Sequence, residues 1–245
     1  MTAAAGCVSC HAANYSDPPV LDGGVEIASP FGAIITPNIT PDKKAGIGDW
    51  SKTEFLNAVK RGVSPVGEHY YPAFPYMHYR GLTDRDVLDI HAYLSSLPAS
   101  DKVNNPTQLP FPFSVRRGIG VWKRIDALEL RERRDAAVLE RGRYLVEHAA
   151  HCGACHTPRT VLLTSDHSDA FRGSVLFDGA IAPPLTRERL LAAGEDAFVT
   201  GALVYGLRLD GSALEDRKMI EVVDQTRRLT QDDRKAIFDY LSSLE

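Results

Sequence analysis

The sequence predicts an all-α fold built from two tandem copies of one small domain. Three observations predict it. The pattern Cys-x-x-Cys-His occurs twice, as Cys7-Val8-Ser9-Cys10-His11 and as Cys152-Gly153-Ala154-Cys155-His156, and the two copies use all four cysteines. Two amphipathic helices with the same Tyr-Leu-Ser-Ser-Leu ending close the two halves. The chain has three methionines, and Met77 and Met219 stand one in each half, between the Cys/His motif and the closing helix.

In chain order, the first motif is followed by Thr36-Pro37-Asn38-Ile39-Thr40, which its proline keeps out of regular helix. A helix is expected from Trp50 to Arg61, stopped by Gly62. The closing helix runs from Leu82 to Leu97, with Thr83 as N-cap and Asp86 three residues on. Its Val87, Ile90 and Leu94 share one face.

A connector follows, from Pro98 to Ala136. Its Asn104-Asn105-Pro106 and Leu109-Pro110-Phe111-Pro112-Phe113 favour extended backbone. Burial of Phe111, Phe113 and Trp122 against the domains is expected to make it a fixed strap. Arg116, Arg117, Lys123 and Arg124 form a basic cluster, read first as a solvated face.

The second half opens with an amphipathic helix, Leu139 to Ala149, which runs into the second motif. Ala182-Pro183-Pro184-Leu185-Thr186 corresponds to the first half's Thr36–Thr40 segment. A helix from Asp196 to Tyr205, stopped by Gly206, corresponds to the one at Trp50. The closing helix runs from Leu229 to Leu244, with Thr230 as N-cap and Ile237, Tyr240 and Leu241 on one face. The expected boundaries are therefore 1–97, 98–136 and 137–245.

Composition narrows the function classes. With 245 residues, 44% of them hydrophobic, the chain can bury a core without disulfide staples. Its formal charge of −4 does not suggest a nucleic-acid partner. No apolar run approaches the ~20 residues that cross a bilayer, which leaves peripheral association with a membrane open. No signal peptide is visible in it.

The two motifs carry the chemistry. Cysteines three positions apart on one helical turn can each bond a vinyl group on the same porphyrin edge, and the next residue offers an imidazole nitrogen to the iron. This is the attachment signature of c-type haem. A disulfide framework or a shared four-cysteine zinc site would leave both histidines idle. A thioredoxin-like pair needs a βαβ context that neither site has. Two c-type haems are therefore expected, with Cys7, Cys10, Cys152 and Cys155 as attachment residues and His11 and His156 as proximal iron ligands. The basic cluster then has a second possible role, contact with haem propionates or an acidic partner.

An iron that only carries electrons needs a sixth ligand, and methionine there raises the potential. Met77 and Met219 are the candidates. Met77 is five residues before Leu82, whereas Met219 is ten before Leu229, so they do not occupy the same place in the repeat. His78, next to Met77, is the rival for the first iron. His69, His91, His148 and His151 are expected to be ordinary surface or core histidines; metal binding by His148 and His151 is the lesser alternative.

With these residues in hand, the chain resembles the multihaem cytochrome c subunits of bacterial periplasmic dehydrogenases, the alcohol and gluconate types among them. The likeness rests on residues 36–42, 46–50, 71–76 and 82–84, on Leu109–Phe113, on Arg141–Leu145 and on His151–Arg159. It implies two tandem class I cytochrome c-like domains, small and helical, each around one haem with His/Met iron. Those subunits usually carry three haem motifs where this chain has two. In many of them a Met stands at the place of Phe74 or Leu82, where this chain's Met is Met77.

The function expected is periplasmic electron transfer. Single electrons would pass from a dehydrogenase or another donor to a downstream cytochrome or oxidase. The rival is a dihaem redox enzyme, peroxidase-like or thiosulfate-oxidising, with one open or labile haem site. Because bacteria attach haem covalently outside the cytoplasm, an exported precursor is expected. A signal or helix upstream of Met1 would have been removed by processing or by cloning.

Overall fold

A computed structural model describes residues 5–13, 16, 18–129 and 139–244. The end of the expected connector, and the join to the second expected domain, lie outside these residues. The chain divides into two compact units. Of the described residues, those between 6 and 125 form one, and residue 5 with those between 126 and 244 forms the other.

The first unit begins with α1 (Cys7–His11), followed by an antiparallel hairpin of β1 (Glu26–Ser29) and β2 (Gly32–Ile35), which pairs Glu26 with Ile35 and Ser29 with Gly32. Helix α2 (Lys52–Arg61) starts at a capping box. Ser51 Oγ accepts from the Glu54 amide, and the Glu54 carboxylate accepts from the Ser51 amide. It stops where Gly62 turns left-handed, at φ 58°. The short α3 (Tyr76–Tyr79) leads into α4 (Asp84–Ser95). There Thr83 accepts from the Asp86 amide at 3.1 Å, as the cap pattern predicts. Phe55, Val59, Tyr76, Tyr79, Leu82, Val87, Ile90 and Leu94 form the core.

The connector departs from expectation. Residues Arg117–Glu129 form a helix, α5. After Pro112 no proline occurs before Pro158, so nothing in the backbone forbids it. Phe111 is 83% exposed, because it stands in a turn between two prolines with its ring directed outward. Phe113 is also partly exposed, stacked on Phe31 with ring centroids 3.6 Å apart. Trp122 is half-buried.

The basic cluster is not simply solvated either. The Arg116 guanidinium lies 5.0 Å over the Tyr71 ring and pairs with Glu68. Lys123 Nζ donates to the Arg61 and Gly62 carbonyls at 2.6 and 2.7 Å, so it caps the C-terminus of α2.

The second unit opens with α6 (Glu140–Arg143), which continues as a π-helical turn, Tyr144–Ala149. Next come α7 (Gly153–His156) and a hairpin of β3 (Ser174–Val175) and β4 (Ile181–Ala182). Helix α8 (Arg187–Ala193) follows. The helix expected over 196–205 is a π-helical stretch, Ala197–Ala202, ending in α9 (Leu203–Tyr205), with Gly206 left-handed at φ 66°. Two longer helices complete it, α10 (Arg217–Thr226) and α11 (Gln231–Ser243). Thr230 accepts from the Asp233 amide at 3.1 Å.

Helix α11 buries Ile237, Phe238, Tyr240 and Leu241, and α6 packs across it. At that crossing, a β-carbon on Gly142 would lie 2.0 Å from the Ala236 carbonyl oxygen. The fold is mostly helical, but each unit adds one short hairpin to the all-α expectation. The proline segments read as merely extended turn out to continue the hairpins' second strands.

Candidate haem sites

Each motif lies on one short helical stretch, so its two cysteines stand one turn apart with the histidine directly after. The hairpin of each unit then clasps that histidine from two sides. In the first unit the His11 ring Nδ1 is 2.8 Å from the Pro37 carbonyl. The Gly23 amide donates to the His11 carbonyl, also at 2.8 Å. Gly24 donates to Thr36, and Ile39 to Leu21, so the two arms of the clasp are paired with each other.

The second unit repeats this. His156 Nδ1 is 2.7 Å from the Pro183 carbonyl, and Gly173 donates to the His156 carbonyl at 2.9 Å. The Leu185 amide closes the arms onto Phe171. The glycines are required by geometry. Gly23 has φ 67°, and a β-carbon there would sit 2.4 Å from the Pro37 oxygen; Gly173 has φ 84°, with the Ala182 oxygen at 2.8 Å.

A carbonyl oxygen only accepts, so each imidazole must hold its proton on Nδ1. Nε2 is then the nitrogen available to iron, and the carbonyl partner raises its basicity. Burial lowers the pKa of both rings, and the carbonyl bond works against it to a lesser extent. Both effects are met by a neutral imidazole with a fixed tautomer.

The cysteines fit thioether attachment better than a zinc knuckle. None is in a disulfide. Burial pushes the thiols of Cys7 and Cys152 up to about 12, away from the thiolate form a zinc site needs. Among the described residues no group of three or more His, Cys, Asp or Glu side chains is arranged to hold a metal ion. The donor set therefore fits haem, with two thiols and one oriented imidazole per unit.

The methionine segments approach the same motifs. Tyr79, two residues after Met77 on α3, has its hydroxyl pKa raised well above normal, first by burial and then by Cys7 and Cys10. Tyr79 thus lies within electrostatic reach of the first motif's cysteines. Met219 is in the first turn of α10, where its amide donates to Asp216 Oδ1 at 2.9 Å. The Cys155 thiol is raised by burial and also feels Lys218 and Asp216, so the start of α10 flanks the second motif. Lys218 further pairs with Asp178 in the turn of the β3–β4 hairpin.

The other histidines have separate surroundings. His78 lies beside Met77 on α3. His69 Nδ1 is 3.1 Å from Lys123 Nζ, and the His91 ring packs on Phe55. His148 meets the Tyr144 ring edge-on. His151, at φ 41°, is pushed down to about 4 by burial.

Sequence reading missed Gly23, Gly173 and Tyr79. For the glycines the only signal was a glycine preceding a proline-bearing segment, since the strands between are too short to be read from sequence. For Tyr79 there was none, because its relation to the cysteines is purely spatial.

A mostly helical chain with two Cys-x-x-Cys-His turns, each with its histidine tautomer locked, has the features of a covalent haem protein. Known proteins agree. The cytochrome c family model matches residues 2–98. A "diheme cytochrome c-type" protein of Cereibacter sphaeroides is 38% identical over 97% of the chain and 81% of its own length. The gluconate 2-dehydrogenase cytochrome c subunit of Pantoea cypripedii is 37% identical over 97% of the chain. The cytochrome c subunit of the quinone alcohol dehydrogenase of Gluconacetobacter polyoxogenes is 34% identical over the same share. The chain spans only 56% and 53% of the length of these two subunits. The chain belongs to the dihaem c-type cytochromes of the cytochrome c family. It carries two c-type haems and serves electron transfer.

Proposed function

We propose that this protein is a periplasmic dihaem carrier or subunit that takes single electrons from a dehydrogenase and passes them to a downstream cytochrome or oxidase. It comprises two tandem class I cytochrome c-like domains. Cys7 and Cys10, and Cys152 and Cys155, form the thioethers. His11 and Met77 ligate the first iron, and His156 and Met219 the second. Haem supplies the one-electron redox change, and the protein supplies position, burial and potential.

The observation that carries this reading is the doubled clasp. Each imidazole is held by a ring hydrogen bond and a main-chain hydrogen bond, which suits a centre whose geometry must change little between oxidation states. The named dehydrogenase subunits among the relatives support a dehydrogenase as donor. No helix among the described residues is long and apolar enough to cross a membrane, which is compatible with a peripheral association.

The test is spectroscopic. Wild-type holoprotein is expected to show two low-spin haems with sulfur-to-iron charge-transfer bands and slow carbon monoxide binding. Met77→Ala and Met219→Ala should each abolish the band of one haem, lower its potential and open it to carbon monoxide. A high-spin haem in the wild type that binds carbon monoxide rapidly would favour a catalytic protein instead. A Met77→Ala variant with an unchanged spectrum and potential would move the first ligation to another residue, His78 first.

A further inference from the structure

We infer that Asn38 is a positioning residue through which the connector holds the Pro37 carbonyl against His11, so that the connector helps to set the potential of the first haem. This rests on the reading of His11 as an axial ligand.

Asn38 follows Pro37 directly and is 5% exposed. Its side-chain amide donates to two connector carbonyls, Ser100 at 2.8 Å and Lys102 at 3.0 Å. Its Oδ1 accepts from the Thr40 amide at 2.9 Å and from the Thr40 hydroxyl at 2.7 Å. A buried amide with its donors and acceptor engaged is costly to disturb, because each partner it loses leaves an unsatisfied group. The connector touches the clasp at three further places. The Ile35 amide donates to Thr107 Oγ1 at 2.9 Å. Asn104 donates to the Asp22 carbonyl at 2.7 Å. Lys102 Nζ donates to the Gly23 carbonyl at 2.7 Å. Both arms that grip His11 are thus braced by residues 100–107.

The second unit supplies the contrast. The residue corresponding to Asn38 is Pro184, which has no side-chain donor and no amide proton. Among the described residues, the hydrogen bonds to the 171–175 and 181–185 arms come from nearby in the chain, and the distant hydrogen bond to this hairpin is Lys218 to Asp178 in its turn. Among the described residues, one proximal histidine's clasp is therefore hydrogen-bonded by a distant segment on both arms, and the other's is not.

The electronic consequence follows from the hydrogen bond. Donation from Nδ1 to a firmly held carbonyl makes the imidazole a stronger donor and favours the ferric state. If the carbonyl is loosened, that bond weakens and the potential rises.

Spectroelectrochemical titration of the holoprotein, with electron paramagnetic resonance resolving the two ferric haems, tests this. Asn38→Ala should raise the midpoint of one haem and shift its g values, leaving the other haem unchanged. At a fixed potential its reduced-to-oxidised ratio should grow several-fold, up to about tenfold, which is ~59 mV for one electron. Asn104→Ala combined with Thr107→Val is charge-neutral and lies on the connector side. It should move the same haem in the same direction by less, and it carries the test if Asn38→Ala does not fold.

The inference is overturned if the connector variants move neither haem, or move both alike. His11→Ala separates the two claims. Loss of one low-spin signal in His11→Ala, with silent connector variants, upholds the axial reading and removes only the connector's role. Two intact low-spin signals in His11→Ala remove the axial reading itself, and the inference with it.

Discussion

At the residue scale, the closing helices depend on single side chains at their starts. Thr83 and Thr230 each satisfy an amide in the first turn that has no partner within the helix. Thr230→Ala should lower the stability of the second unit by about 1 kcal/mol, the usual worth of such a cap. Chemical denaturation followed by far-ultraviolet circular dichroism would measure it, and an unchanged midpoint would show that tertiary packing alone holds the end of α11. Lys123 shows the opposite side of residue-level reading. In sequence it is one of four clustered cations. In the structure burial pushes its ammonium down to about 8, while two carbonyls and the Tyr76 ring, 4.2 Å away, favour the charge. Nothing local to residue 123 announces those partners.

At the element scale, α6 crosses α11 at a close backbone contact. Gly142 lets the two backbones meet, and any side chain there must displace the Ala236 carbonyl or the Tyr240 β-carbon, 2.7 Å away. Gly142→Ala should destabilise the unit by roughly 1–3 kcal/mol, the cost of overpacking a fitted contact. A melt monitored by circular dichroism would show the loss, and a variant as stable as the parent would mean the helices can slide apart at no cost. The hairpins are the other informative elements. Their strands are only four and two residues long, too short to be read by alternation. They form because the paired arms beyond them extend the ladder and because the histidine is gripped between those arms. The helical end of the connector is a further case: its prolines stop at Pro112, and beyond them the chain is free to form α5.

At the scale of the whole molecule, the chain has two compact units, each with its own core and its own Cys/His turn. Cooperative unfolding normally follows such units and not the whole chain. Scanning calorimetry of the intact holoprotein should resolve two transitions, and Gly142→Ala should lower only one of them. A single transition shifted as a whole would show that the units unfold together. The same comparison tells which transition carries which haem, if the Soret band is followed through the scan.

The sequence by itself determined the two haem signatures, the mostly helical character and the caps and stops of the helices it marks. These are local facts. A haem turn is five residues long, a cap acts over three, and an amphipathic face repeats within one helix. Only the tertiary structure decided how the histidines are oriented and braced. The Pro37 carbonyl lies 26 residues from His11, the Pro183 carbonyl 27 from His156, and the connector carbonyls more than 60 from Asn38. Hydrogen bonds across such separations follow from the path of the folded chain, and a main-chain carbonyl carries no residue-specific mark that a reader of sequence could find.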